Sequence, residues 1–398
     1  MSEKLRILYV LNCHYPTING VVVSAKTCAD ALLQRGHEVR LLVPSGKGRA
    51  DDPRVICSPS FLRTEKGDFP ILAWLTPTVY KKIKAFNPDL IHVHHAFGVG
   101  LVGLILAQLL RKPIVYTNHT MIGEYARARA PFARGFACWL FDRWNVSFAN
   151  RCNWIVAPGS SMRDLLKSLG VRRPIEVIPT GIDPDAFEGA DHPGEVRVRY
   201  GIAPGKHILF CVARMTAEKN IDFLLEAIAH LALVRDDFHL LLVGDGKIDH
   251  YRHMAEALGV SQLVTFTGSL PHTEIERILG TGRAFTLPSV TDSQGLVFLE
   301  AMAAGVPVVA SNKMGAADFV RDRIDGFLVD VEQQPRVQAI HKYASRVETL
   351  IVNQGLRNTM GLDGRRRTRE YTVGRCVDRL EGQYYDIIHR SHNSRRDP

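Results

Sequence analysis

Short apolar runs rich in β-branched residues alternate with helical stretches along this chain, and the alternation stops once and restarts. LRILYVLN, HEVRLLVP, LIHVHH, PIVYTNHT, NWIVAPG and IEVIPTGI read as strands, with helical stretches at 22–35, 76–86 and 100–110 between them. Near-continuous apolar strands separated by helices specify a parallel sheet covered on both faces. The stretch DPDAFEGADHPGEVRVRYGIAPGKH then breaks the pattern with Pro, Gly and charge, which predicts a linker over 191–205. After it HILFCVAR, HLLLVGDG, LVTFTGSL, AFTLPS, VPVVAS and GFLVD repeat the strand pattern. The expectation is α/β, with doubly wound domains at 1–190 and 206–372. A last helix from 373 packs back on the first domain, and the Arg-rich end HRSHNSRRDP is a disordered tail.

Length agrees, since 398 residues exceed one ordinary core. Seven cysteines are scattered and never spaced C-x-x-C, which speaks against disulfides or structural zinc and for a reducing cytosol. The N-terminal apolar run is too short for a signal peptide and reads as a strand. The longest apolar run, 98–110, is shorter than the roughly 20 residues a spanning helix needs. The formal charge of +9 lies wholly in one half: 1–190 hold 24 Lys+Arg against 15 Asp+Glu, and 191–398 hold 26 of each. Such asymmetry suits an anionic partner or membrane near the first half, or simply a solubility charge. No stacked-aromatic nucleic-acid motif accompanies it.

Ligands of doubly wound sheets bind at the carboxyl ends of the strands, so the loops there carry the chemistry. After the first strand, Asn19, Gly20 and Val21 open a helix, where a glycine lets backbone N–H groups approach a phosphate. His119 follows PIVYT directly and suits a hydrogen bond to a polar substrate, although a lone histidine is more often structural. Arg214 and Lys219 lie in the loop after HILFCVA, two cations that suit a diphosphate. In TDSQGLVFLEAMAAG, Ser293, Gln294 and Gly295 precede a helix whose first residues are Leu296 and Val297. Glu300 sits inside that apolar helix, where an ionised carboxylate is costly unless a ligand such as a ribose diol replaces water.

Taken together these segments resemble the retaining GT-B glycosyltransferases of family four, over nearly the whole chain. The residues carrying the resemblance are Gly20, VARMTAEKN (212–220), the acid pair Asp292 and Glu300 separated by seven residues, and PTGIDPDAF (179–187). The resemblance implies two Rossmann-like doubly wound domains facing a central cleft. It implies that Glu300 binds ribose hydroxyls and that Ser269 and Leu270 lie beside the base. Arg214 and Lys219 then neutralise a diphosphate. His119, Asp292 and the 293–296 backbone contact the sugar, and amides at Gly20 and at 295–297 assist with the diphosphate. Asp292 stands where the family usually has Glu, one methylene longer. No cofactor or metal is implied beyond the nucleotide-sugar co-substrate, because Arg, Lys and helix dipoles can carry phosphate charge. The one D-x-D, Asp183–Asp185, lies in a turn and reads as structural.

The stretch TNHTMIGEYARARAPFARGFACWLFDRW looks closest to the diacylglycerol and phosphatidylinositol glycosyltransferases of the family. Phe132, Phe136, Trp139, Leu140 and Trp144 fall on one side of a helix, among Arg127, Arg129, Arg134 and Arg143. YKKIKAF (80–86) adds three cations. Large aromatics among cations suit a helix lying at an anionic membrane surface, and a core helix with a basic solvent face is the plainer reading. The expected enzyme is a cytoplasmic hexosyltransferase, peripheral at the inner membrane face. It uses UDP-glucose in preference to GDP-mannose, with a lipid acceptor such as diacylglycerol. A soluble transferase for a sugar phosphate or inositol phosphate, or a non-catalytic nucleotide-sugar binder, are the alternatives.

Overall fold

The computed structural model describes residues 3–12, 20–45, 52–63, 70–119, 134–189 and 191–393. The chain divides into two compact units: Met1–Gly181 together with Val373–Pro398, and Ile182–Thr372.

In the first unit the strands are β1 (Arg6–Val10), β2 (Glu38–Pro44), β3 (Val55–Ser58), β4 (Ser60–Arg63), β5 (Pro70–Ala73), β6 (Leu90–Val93), β7 (Ile114–Thr117), β8 (Trp154–Ala157) and β9 (Ile175–Val177). Seven of them form one sheet in the order β3-β2-β1-β6-β7-β8-β9, and β4 and β5 form a separate pair. Every pairing in the large sheet is parallel. β6 and β7 are buried at every residue, as helices on both faces require. The helix Val373–Asn393 belongs to this unit. Cys376, Val377, Leu380, Tyr384 and Ile387 make one apolar face, buried with Tyr9, Ala25, Ala29 and Leu32. The helix runs into the end HRSHNSRRDP that was expected to be a disordered tail, continuing through His392 and Asn393.

The second unit contains β10 (His207–Val212), β11 (Phe238–Val243), β12 (Val264–Gly268), β13 (Ala284–Leu287), β14 (Val308–Ser311) and β15 (Gly326–Val329). Their order is β12-β11-β10-β13-β14-β15, again all parallel. The chain enters and leaves this unit side by side, with the Ile182 amide donating to the Tyr371 carbonyl at 2.9 Å.

The expected linker at 191–205 is corrected. Residues 193–200 form the helix Pro193–Tyr200, whose Val196 is fully buried in the second unit's core. The His192 ring caps it by accepting from the Gly194 amide at 3.1 Å, and Gly201 ends it. Asp191 pairs with Arg277 at 2.7 Å, and Arg199 with Glu274 at 3.2 Å. The Pro and Gly that read as linker signals are here a helix start and stop.

Both sheets reverse their winding beside the first strand of each unit, at β1/β6 and at β10/β13. These are topological switch points, where the carboxyl ends of diverging strands leave a crevice. The loops after β6, β10 and β13 therefore position the residues considered next. Among the described residues no helix is long and apolar enough to cross a membrane.

Candidate functional site

In the second unit, two loops leave the switch point side by side and are lashed together. After β10, Ala217–Lys219 forms a short 3-10 turn and Asn220 takes a left-handed φ of 57°. After β13 comes Pro288-Ser289-Val290-Thr291-Asp292. Asn220 donates its side-chain amide to the Pro288 carbonyl at 3.3 Å. The hydroxyls of Ser289 and Thr291 both donate to the Glu218 carbonyl, at 3.3 and 3.2 Å. From the other side the Ser311 hydroxyl holds the Ser289 carbonyl, and the Gly315 amide donates to the Asp292 carbonyl at 2.8 Å. A Cβ at Gly315 would stand 2.5 Å from the Gln294 carbonyl, so only glycine permits this approach.

The lashing brings Lys219 Nζ onto Asp292 Oδ1 as an ion pair, each side chain only 16% exposed. Burial alone would raise the Asp292 carboxyl, but the Lys219 ammonium reverses this and holds it below its ordinary value. Oδ2 of Asp292 is buried with no hydrogen-bond partner. The sequence reading gave these residues separate tasks, diphosphate and sugar; the structure joins them. Arg214 is half-exposed and reaches Glu218 Oε1 at 3.4 Å.

Gly295 takes φ +63° and turns the loop into the eight-residue helix Leu296–Ala303. Ser293, Gln294, Leu296 and Val297 thus form the loop and first helical turn beside Asp292. Phe298, Leu299, Ala301, Met302 and Ala303 of this helix are fully buried, and Glu300 is the exception among them. Its side chain is 15% exposed, and burial raises its carboxyl above the ordinary value. His272 Nε2 lies 3.9 Å from Glu300 Oε1 and 3.4 Å from Glu276 Oε1. His272 begins the helix His272–Leu279, with Pro271 between it and half-buried Leu270, which follows exposed Ser269. His272, two residues beyond Leu270, is thus the ionisable neighbour of Glu300, and the sequence reading missed it. It also missed Ser289, Thr291 and Asn220; the run S-V-T-D-S around Asp292 was the available signal.

Asp183 and Asp185 are both engaged. Asp183 caps the turn Pro184–Phe187 by accepting from the Asp185 amide at 3.1 Å, and Asp185 pairs with Arg369 at 2.7 Å.

In the first unit, Gly20 begins the helix Gly20–Gln34, exposed, with Val21 half-buried behind it. Asn19, Arg127 and Arg129 lie outside the described residues, as does the side chain of Arg134. His119 is half-buried after β7, and its Nε2 lies 2.9 Å from Nδ1 of His94 after β6. His92, in β6, contacts the Tyr384 hydroxyl through Nδ1 and Thr117 Oγ1 through Nε2 at 2.6 Å. The Asn12 amide donates to His95 Nδ1 at 3.3 Å. Burial lowers all four histidines, His92 and His119 to about 3 and His95 to about 4, so all are neutral at pH 7.

The helix Arg134–Ala149 has two characters. Asn145, Val146, Phe148 and Ala149 pack inward, with the Tyr116 hydroxyl donating to Asn145 at 2.8 Å. Phe136, Trp139, Leu140 and Trp144 face solvent, Phe136 at 69% exposure and Trp139 at 56%. Phe136 stacks on Trp139, and the Arg143 guanidinium lies 6.0 Å from the Trp139 ring centre. Ile105, Leu109 and Trp74 are further exposed apolar side chains of this unit.

Residues 18–186 match the family model described as Glycosyltransferase Family 4, and residues 194–367 match Glycosyl transferases group 1. An alpha-monoglucosyldiacylglycerol synthase of Streptococcus pneumoniae is 28% identical over 335 residues, covering 81% of this chain and 75% of that protein. One from Acholeplasma laidlawii is 24% identical, covering 97% of this chain and 98% of its own. The crystal structure of Anabaena Alr3699/HepE in complex with UDP-glucose superposes with a TM-score of 0.74 at 19% identity, covering 96% of this chain and 100% of that one. Two Rossmann-like units with parallel doubly wound sheets are the GT-B architecture of glycosyl-transferring enzymes. The chain belongs to the family-four glycosyltransferases.

Proposed function

We propose that this glycosyltransferase moves glucose from UDP-glucose to a lipid acceptor such as diacylglycerol, with retention of configuration, as a peripheral enzyme at the anionic cytoplasmic face of a membrane. The observation that carries the lipid reading is the exposed aromatic face of Arg134–Ala149, with Arg143 over Trp139. Exposed aromatics of this kind are costly in water and favourable at a bilayer interface, where their apolar bodies and polar tips are both accommodated. Exposed Lys81, Lys82 and Lys84 on the helix Pro77–Phe86 add attraction to anionic headgroups. The two relatives with diacylglycerol in their names support the same acceptor class.

In this reading Lys219 and Arg214 offset the charge that grows on the leaving diphosphate, while Asp292 orients Lys219 through their ion pair. Glu300 accepts from the ribose hydroxyls, which replace the water its buried carboxylate has lost. Ser269 and Leu270 flank the base. The 293–296 backbone hydrogen-bonds sugar hydroxyls, and the amides of 295–297 meet phosphate. The bond from the anomeric carbon to the phosphate oxygen breaks as the acceptor oxygen bonds to that carbon. The acceptor's proton passes to the departing phosphate. Arg and Lys carry the phosphate charge, so a divalent ion is not needed in this scheme.

Radiolabelled UDP-glucose, supplied with diacylglycerol in anionic vesicles, in neutral vesicles, or with inositol phosphate in free solution, tests the proposal. Label should enter the lipid phase, fastest with anionic vesicles. Equal turnover on the soluble acceptor without lipid would overturn it.

A further inference from the structure

Glu276 and Glu300 stand on different helices and face the same imidazole. His272 Nε2 lies 3.4 Å from Glu276 Oε1 and 3.9 Å from Glu300 Oε1. The ring is 58% exposed, whereas the two acids are 21% and 15% exposed. Glu276 is the ordinary i,i+4 neighbour on the helix surface. Glu300 comes from another element, and its presence at the ring is a product of the fold.

Three elements of the second unit build this seat. The turn Pro184–Phe187 touches both the helix His272–Leu279 and the helix Leu296–Ala303. The buried Phe187 ring stands edge-on to His272, with planes at 83° and centroids 6.2 Å apart. The helix beneath His272 is tied down by Arg277 on Asp191 at 2.7 Å and by the Tyr200 hydroxyl donating to Glu274 at 2.7 Å. Other charged groups on the neighbouring elements are engaged elsewhere. Asp185 pairs with Arg369, Arg365 donates to the Ala303 carbonyl, Arg367 donates to the Phe319 carbonyl, and Arg366 lies 3.7 Å from Asp363. Asp318 acts on Tyr371. Among the described residues the charges that act on Glu300 are therefore those of His272 and Glu276, in opposite senses and on top of its burial.

We infer that His272 is a positioning residue for the nucleotide sugar: as an imidazolium between Glu276 and Glu300, it holds the Glu300 carboxylate charged and in place, and so preserves donor binding as the medium turns acidic. This rests on the proposed contact between Glu300 and the ribose hydroxyls. Those hydroxyls need an acceptor, and a protonated carboxyl gives up part of its accepting capacity. Histidines gain their charge between about pH 8 and 5, before carboxyls are neutralised. A cation beside a carboxylate lowers the pH at which it is neutralised, and a second carboxylate raises it. Removing His272 and removing Glu276 must then move Glu300 in opposite directions, which a loss of packing does not do.

The test is a carbon-13 NMR titration of the full chain labelled at the glutamate carboxyl, with Glu300 assigned from the signal missing in Glu300→Gln. Calorimetric Kd for UDP-glucose is measured over the same pH range. In His272→Gln the Glu300 midpoint should rise by about 0.5 pH unit or more, the scale of a nearby cation discounted for the ring's exposure. On the acid side the Kd should then be about threefold weaker than native. In Glu276→Gln the midpoint should fall, with the acid limb of Kd moving to lower pH. His272→Lys, which restores a cation, should return the midpoint to the native position or below it. His272 begins its helix and is more than half exposed, so neither substitution there opens the core. A midpoint unmoved in His272→Gln would overturn the inference, as would shifts in the same direction in His272→Gln and Glu276→Gln, or a lysine variant that behaves like the glutamine one. Midpoints that shift as expected while Kd shows no matching change would instead remove the ribose contact and leave the pairing of His272 with Glu300 standing.

Discussion

Lys219 Nζ and Asp292 Oδ1, 73 residues apart in sequence, form an ion pair at the carboxyl ends of β10 and β13, with both side chains mostly buried. Removing one member leaves the other charge with lost solvation and no partner, at a cost of ~3 kcal/mol. Lys219→Ala should therefore lower kcat about 10²–10³-fold, the scale for losing one preorganised charge at a leaving group. Lys219→Met, which keeps the apolar stem, should fold no worse than the alanine variant and be as inactive. Near-native turnover in either variant would remove the diphosphate role.

The same pair sets a pH dependence. Asp292 is held below its ordinary value of 3.8 in the folded state. A carboxylate lowered on folding contributes stability that is present above the unfolded pKa and lost as pH falls through the folded one. Denaturant melts should show this contribution whole at pH 6 and disappearing below about pH 4. In Lys219→Ala the uncompensated buried carboxylate is raised instead, so part of that acid-side loss should vanish. Identical acid-side slopes in the two proteins would contradict the assigned cause.

Glu300 behaves oppositely. Burial raises its carboxyl above the ordinary 4.5, so folding disfavours its charged form and the penalty grows as pH rises through that value. Glu300→Gln should melt about 2 °C higher without ligand at pH 7, on the scale of ~1 kcal/mol in a unit of this size. It should also raise the KM for the nucleotide sugar at least tenfold. A melting point that falls would contradict the burial cost, and a KM that stays would separate Glu300 from the ribose.

Much of this was legible in the residues. The double run of apolar strands specifies two parallel sheets because strands covered on both faces must be apolar throughout. The loops after β10 and β13 were found because cations or acids at a strand's carboxyl end contrast with the strand itself. What could not be read was pairing. Nothing in Lys219 or Asp292 names the other, since their contact depends on the hydroxyls of Ser289 and Thr291 reaching the Glu218 carbonyl. His94 was hidden inside LIHVHH, where three histidines look alike until burial and partners tell them apart. Pro193 and Gly201 were misread because the residues that break a chain are also those that begin and end a short helix.

The aromatic face of Arg134–Ala149 gives a prediction independent of the chemistry. Phe136 and Trp139 are more than half exposed, so replacing both with alanine removes little packing and should leave the melting point within ~1 °C. Partition onto anionic vesicles should weaken at least tenfold, since burying either ring is worth ~1.5 kcal/mol or more. Arg143→Glu should weaken it mainly at low salt. Sedimentation with vesicles measures all three, and unchanged partition of the double variant would point to a soluble acceptor.

Gly20 separates ligand from fold most cleanly. It begins the helix Gly20–Gln34, its φ does not require glycine, and a Cβ there would have nothing within 4 Å. Contrast Gly315, where the Gln294 carbonyl excludes any side chain on structural grounds alone. Gly20→Ala should therefore melt at or slightly above the native temperature, because alanine restricts the unfolded chain by ~0.5 kcal/mol. If phosphate oxygens lie against the Gly20 and Val21 amides, the added methyl occupies their approach, and kcat/KM for the nucleotide sugar should fall tenfold or more. A stable variant with native kcat/KM would mean that the loop after β1 holds no phosphate.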